Sequence, residues 1–218
     1  MFAREPVGAH TGTLVGALAG ALIGTLLAGS PVQAQSPDQS GGGGCLAPDQ
    51  LPTKATFDNG TIVTVLERRD GKIRYETRSP DGKTLTVVSY GGLFALTTDV
   101  AGVTYDVTWT QDLAQFFPLK IGEHILADAS VKNSRNNGLS ARVNETTVTG
   151  ENTFRIGECE YPVLNIDTHS RVPGGSMQSV TTRFYHPPSM LVLWEVTTGP
   201  TTVNGPVRTI ERRVVRLE

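Results

Sequence analysis

The sequence predicts an all-β domain, a curled antiparallel sheet or half-barrel meander, on three observations. Dipeptides that supply positive backbone φ recur about every eleven residues at Asn59-Gly60, Asp70-Gly71, Asp81-Gly82 and Gly91-Gly92, the spacing of strands joined by two-residue turns. Val103 to Thr110 alternates without a break. Val103, Tyr105, Val107 and Trp109 share one face and Thr104, Asp106, Thr108 and Thr110 the other, so one face is core and the other wet. Composition agrees: 24 of 218 residues are glycine, Thr and Val are frequent, and long Ala/Leu/Glu/Lys runs of the kind that make helix are few.

Residues 1 to 34 read as an export signal. Arg4 lies in a short polar start, Thr13 to Ala28 is an apolar run, and Val32-Gln33-Ala34 places small or apolar residues where a signal peptidase reads them, so cleavage is expected after Ala34. Gly12, Gly16, Gly20 and Gly24 have the spacing of a helix-packing face. The run is nonetheless short and glycine-diluted for a membrane span of about 20 apolar residues. Gln35 to Gly44 contains no apolar residue, and 35 to 52 is read as a flexible linker before a β domain over 53 to 218. Cys45 is not read as lipid-modified, because the apolar run ended well before it and Gly42 stands where a lipidation box has leucine.

Within the domain, half-buried alternation at Ile73-Tyr75 and Leu85-Val87 places part of the sheet against solvent. Asp112 can cap a short helical turn near 112 to 117, over Leu113 to Phe117, which Pro118 ends. Phe116, Phe117 and Leu119 are expected to plug one end of the sheet. Strands resume after Gly122 through Val131, pause at the polar loop Lys132 to Gly138, and continue from Leu139 to Val148. Thr153 to Ile156 and Glu160 to Thr168 then flank a turn that carries Cys159, with Pro162 marking an edge or strand start. Pro173 to Ser176 reads as a hairpin connection. Arg208 to Leu217 is the last strand, and its Arg208, Arg212, Arg213 and Arg216 are read as charge protecting a sheet edge in preference to an anion-binding stripe. The turn spacing predicts about ten to twelve strands.

Pro118-Leu119-Lys120-Ile121-Gly122, Gly150 to Phe154, and Phe184-Tyr185-His186-Pro187 followed by Leu191-Val192-Leu193 resemble, in this order, a broad group of bacterial exported β-sheet domains of unknown function. This chain departs from that group at His186, where a small residue is usual, and at Met190, where a glycine is usual. The resemblance implies a curled antiparallel sheet like the half-barrel of periplasmic lipoprotein carriers, and no catalytic residue.

A net charge of −2 and a pI near 6.1 provide no basic field for nucleic acid. At 6% aromatic residues and with short, Thr-rich strands, the chain lacks the girdles of a membrane barrel. There is no G-x-S-x-G elbow and no glycine-rich phosphate loop before a helix. His124, His169 and His186, with Glu158, Glu160 and Asp167 near them in sequence, show no metal-ligand spacing; Asp167 and His169 lie two apart and share a strand face. No catalytic, cofactor or metal residue is therefore assigned, and no cofactor. Export into an oxidising compartment leaves Cys45 and Cys159 as the two thiols of the mature chain, and a disulfide between them is expected. The expected function is a periplasmic or secreted module, soluble after signal cleavage and non-enzymatic, that offers an apolar concavity to a lipid or an envelope protein. The alternative is a hydrolase or metal-dependent enzyme using His169, Asp167 and His186.

Overall fold

The computed structural model describes residues 45–47, 49–174, 178–200 and 205–218. The export signal over 1 to 34, the polar run Gln35 to Gly44 and part of the turn at Pro173 to Ser176 lie outside the described residues.

Twelve strands follow one another: β1 (Lys54–Phe57), β2 (Ile62–Arg69), β3 (Lys72–Arg78), β4 (Thr84–Tyr90), β5 (Phe94–Val100), β6 (Val103–Trp109), β7 (His124–Asn133), β8 (Leu139–Ile156), β9 (Cys159–Arg171), β10 (Gln178–His186), β11 (Leu191–Pro200) and β12 (Val207–Leu217). Each pairs antiparallel with its neighbour in sequence, and β1 also pairs with β12, so the sheet is a closed barrel and not the expected half-barrel. Closure is made by the shortest strand. Ala55 lies opposite Leu217 and Phe57 opposite Val214, while the amides of Thr53 and Lys54 donate to the Glu218 carbonyl at 2.6 and 2.9 Å. Lys54 Nζ adds an ion pair to Glu218 Oε2 at 2.6 Å. The edge assigned to Arg208–Leu217 is thus corrected: β12 pairs with β11 from Val207 to Arg213 and with β1 from Val214 to Leu217.

The turns explain the meander. Asp70-Gly71 has φ of 51° and 72°, and Gly91-Gly92 57° and 76°, the left-handed pair that matches strand twist in a two-residue connection. Ala101-Gly102 makes a further such turn at 50° and 77°. It escapes a dipeptide search because a Cβ at positive φ costs roughly 1–2 kcal/mol and alanine is not expected there.

Alternation sorts the two faces. On β7, Ile125, Ala127, Ala129 and Val131 are buried while His124, Leu126, Asp128 and Lys132 are exposed; on β3, Ile73 and Thr77 are buried while Lys72, Arg74 and Arg78 are exposed. These strands present charge outward and apolar atoms inward, the reverse of a lipid-facing band. The segments Leu139 to Val148 and Thr153 to Ile156 prove to be one strand, β8, whose register slips between Val148 and Gly150. Such a bulge absorbs the residue that breaks the alternation. Pro162 lies opposite Thr153 of β8, whereas β9 meets β10 only from Leu164 onward, so its missing N–H faces no ladder.

One end of the barrel is plugged. Asp112 Oδ1 accepts from the Ala114 amide at 3.0 Å and caps a 3-10 turn over Leu113–Phe116. Leu113 then packs with Phe94, Ile125 and Ala127, and Trp109, Phe116, Phe117 and Leu119 lie against them. Trp109 is half-buried, its indole N–H donating to the Ala95 carbonyl at 2.8 Å.

The Gly91-Gly92 turn ties this plug to the rest. A Cβ on Gly91 would lie 2.0 Å from the Phe117 ring, and one on Gly92 1.9 Å from the Met190 carbonyl oxygen. Met190 itself is left-handed, φ 55° and ψ 30°, and closes the 3-10 turn Pro187–Ser189. Gly92→Ala is expected to cost about 3 kcal/mol or more in urea unfolding, since overpacking against backbone adds to the left-handed penalty. Gly82→Ala, at φ 82° with open space around it, should lose only about 1–2 kcal/mol. Equal losses would show that the Met190 backbone gives way.

Candidate functional site: a charged row inside the barrel

Three ionised side chains share one rung of the barrel. Arg183 on β10 lies directly opposite Glu195 on β11, and Glu195 opposite Arg212 on β12. Residues opposite one another in an antiparallel pair project to the same side, here into the lumen. Arg183 Nε meets Glu195 Oε2 at 2.8 Å and Arg212 Nη2 meets Glu195 Oε1 at 3.2 Å, so each carboxylate oxygen holds one guanidinium. All three side chains are between 12 and 15% exposed. The polar chain extends both ways: Arg183 Nη1 donates to Thr168 Oγ1 at 3.1 Å and Thr168 meets Thr146 Oγ1 at 3.2 Å, while the Arg212 guanidinium lies over the Phe57 ring at 4.9 Å.

Burial alone would raise the Glu195 carboxyl, but Arg212 and Arg183 more than offset it and hold it below the usual carboxylate range. Because the folded value is depressed, the stability this provides is fully present above the unfolded value of about 4.5. It drains away as pH falls through the folded value. An acid titration of urea stability should therefore keep falling below about pH 4.5, and a Glu195→Leu variant with both arginines replaced by Met should lose that part of the slope. Burial pushes the Tyr75 phenol up, while Arg212 and Arg183 draw it back and Glu195 adds to the rise.

Beside the row is a cavity of about 110 Å³, lined by Arg183, Glu195 and Arg212, by the apolar Phe57, Val63, Leu85 and Val87, and by Tyr75, Thr77 and Ser89. Thr77 and Ser89 are 3 and 2% exposed. Neither hydroxyl has a hydrogen-bond partner among the described residues, nor has Arg212 Nε. Closing the sheet turns its concave face inward, and strand alternation delivers charge as well as hydrocarbon to it.

The residues chosen for the enzyme alternative do not meet. Asp167 Oδ1 accepts from Thr182 Oγ1 at 2.7 Å. His169 is exposed, opposite Glu145 on β8 and Val180 on β10. His186 lies six positions along β10 from Val180, about 20 Å away. It is buried, with Nδ1 at 2.8 Å from Ser189 Oγ, and burial lowers its pKa. His124 Nε2 pairs with Glu145 Oε1 at 2.8 Å, among half-exposed side chains, and Glu160 Oε1 accepts from Arg155 Nε at 2.8 Å. Among the described residues no group of three or more His, Cys, Asp and Glu could hold a metal ion.

Cys45 and Cys159 form a disulfide with Cα atoms 5.3 Å apart. A sulfur so engaged cannot carry a thioether lipid. Cys159 opens β9 at the end of the β8–β9 hairpin, which reaches β10 and β12: Phe154 packs edge-on against Phe184 at 6.2 Å, and Arg213 lies over the Phe154 ring at 5.1 Å and donates to the Arg155 carbonyl at 3.2 Å. Arg68 holds the segment before β1 by donating to the Pro52 carbonyl at 2.6 Å and the Ser189 carbonyl at 3.1 Å.

Sequence reasoning did not find the charged row, although a signal existed for one member. Arg212 falls in phase with Ile210 and Val214, the more buried residues of β12, so period-2 counting places it with the inward set.

No family model and no curated protein matches the chain. Among solved structures it is similar to the hypothetical lipoprotein YmcC from Escherichia coli K12, with a TM-score of 0.46 and 13% identity over 75% of this chain and 82% of that one. It is also similar to a Bacteroides fragilis protein described as having a YmcC-like fold, at 0.40 and 7% over 81% and 100%. A third, described as a lipoprotein of Parabacteroides distasonis, scores 0.34 at 10% identity over 81% and 100%. Likenesses this faint assign neither a family nor a function.

Proposed function

We propose that the protein is an exported, non-catalytic binding module of the bacterial envelope, periplasmic or secreted, whose ligand occupies the barrel lumen beside Arg183, Glu195 and Arg212. The carrying observation is the pair of unpartnered, buried hydroxyls, Thr77 Oγ1 and Ser89 Oγ, on the cavity that the charged row borders. Each such group costs about 1–3 kcal/mol when desolvated without a partner, where alanine or valine would cost nothing of the kind. A bound molecule that reached them would offset that cost. The export signal read over residues 1 to 34 and the Cys45–Cys159 bridge support the compartment, since disulfides persist where thiols are oxidised.

Native mass spectrometry of protein purified from the host envelope is the test. A small-molecule adduct should accompany the wild type and be absent from Ser89→Leu, whose side chain would fill the cavity. A bare mass for both, with no protein partner retained in a pull-down, would sink the binding reading. A protein partner retained equally by both variants would move the function to the outer wall.

A further inference from the structure

Taking the lumen as the ligand site, we infer that its ligand is a small carboxylate with a short apolar body. The charge on the rung does not balance: Arg183 and Arg212 carry two positive charges and Glu195 one negative. Glu195 has one oxygen committed to each arginine, and Arg212 Nε has no partner among the described residues. A monoanion beside Arg212 would neutralise the excess in a setting where an uncompensated buried charge is costly. Arg212, Thr77 and Ser89, whose Nε, Oγ1 and Oγ have no partner among the described residues, belong to the lining of the same cavity. Guanidinium and hydroxyl donors around a planar carboxylate make strong, charge-assisted hydrogen bonds.

The rest of the lining decides against a bare inorganic anion. Phe57, Val63, Leu85 and Val87 contribute hydrocarbon to the same cavity, and a fully hydrated phosphate or sulfate would lose water to these walls without replacement. Size sets the length of the body. A cavity of about 110 Å³ is smaller than the roughly 150 Å³ that accepts benzene, so about four to six non-hydrogen atoms fit. Excess positive charge likewise disfavours an amine of the same shape.

The probes are butyrate, its neutral counterpart butyramide, n-butylamine and inorganic phosphate, added to the purified, disulfide-bonded mature chain in chloride-free buffer. Titration calorimetry and thermal unfolding are the readouts, with circular dichroism confirming that each variant is folded. Butyrate is expected to bind at one site and raise the melting temperature. Butyramide and butylamine should bind about tenfold or more weaker, and Thr77→Val and Ser89→Ala should each weaken butyrate several-fold, since each removes a hydrogen bond to a charged group. Equal binding of butyrate and butyramide would overturn the carboxylate inference and leave the lumen as the site. Phosphate binding without butyrate binding would replace it with an inorganic anion, and silence from all four probes would also overturn it. Butyrate binding that is unchanged in Thr77→Val, Ser89→Ala and the cavity-filling Ser89→Leu would place the site elsewhere and remove the lumen reading itself.

Discussion

Glu195→Gln is expected to destabilise the barrel by about 3–5 kcal/mol, because it leaves two guanidinium groups buried without a counter-charge. The substitution is nearly isosteric, so packing is conserved and the loss reports charge. Arg183 and Arg212 reach the carboxylate from neighbouring strands at 2.8 and 3.2 Å, with every partner at least 85% buried. A buried pair of this kind is weak evidence of net stability, since the desolvation of the ions offsets much of their attraction. Two variants separate these terms. Replacing the row together, Arg183→Met, Glu195→Leu and Arg212→Met, should leave urea stability within about 1–2 kcal/mol of wild type, or above it, and should abolish binding of the anionic probe. If Glu195→Gln costs under about 1 kcal/mol, water reaches the arginines and the row is not the dry site that the geometry describes.

Removing the disulfide by Cys45→Ala with Cys159→Ala should cost about 4–5 kcal/mol by the chain-entropy account, given a loop closed over 114 residues. The bridge has a particular position in this fold. It joins the segment that leads into β1, the strand that closes the barrel, to the β8–β9 hairpin that packs on β10 and β12. β1 contributes only three register pairs to β12. Reduction should therefore loosen closure before it melts the sheet. Amide exchange in the reduced protein should accelerate first at Ala55–Phe57 and Val214–Leu217, with β7 to β10 protected longer. Uniform acceleration over all strands would show that β1 opens only on global unfolding. In the untreated protein, alkylation under denaturing, non-reducing conditions should label neither cysteine.

Much of the meander could be read along the chain because its instructions are local. Asp70-Gly71 and Gly91-Gly92 specify turns through the φ they tolerate, and Val107 is buried between exposed Asp106 and Thr108 because a strand repeats every two residues. Asp112 and Pro118 delimit the plug for the same reason: a cap and a stop act within a few residues. What breaks that regularity was less visible. The bulge that makes β8 one strand depends on its register with β9, and Ala101 adopts a left-handed turn that its own side chain disfavours.

By itself the sequence determined that the chain is an antiparallel all-β domain, which residues turn it, and which face of each clear strand is apolar. Only the tertiary structure decided that the sheet closes. That outcome rests on β1 pairing with β12, Ala55 opposite Leu217 and Phe57 opposite Val214, a pairing that no short window contains. The same holds for the candidate site. Arg183, Glu195 and Arg212 are ordinary charged residues on three separate strands, and they become one buried row only when register sets them opposite one another. His169 and His186, adjacent strands notwithstanding, are kept apart by that register. Side-chain direction is a property of two neighbouring peptide units, whereas burial and partnership depend on which strands pair and on the curvature that turns one face inward.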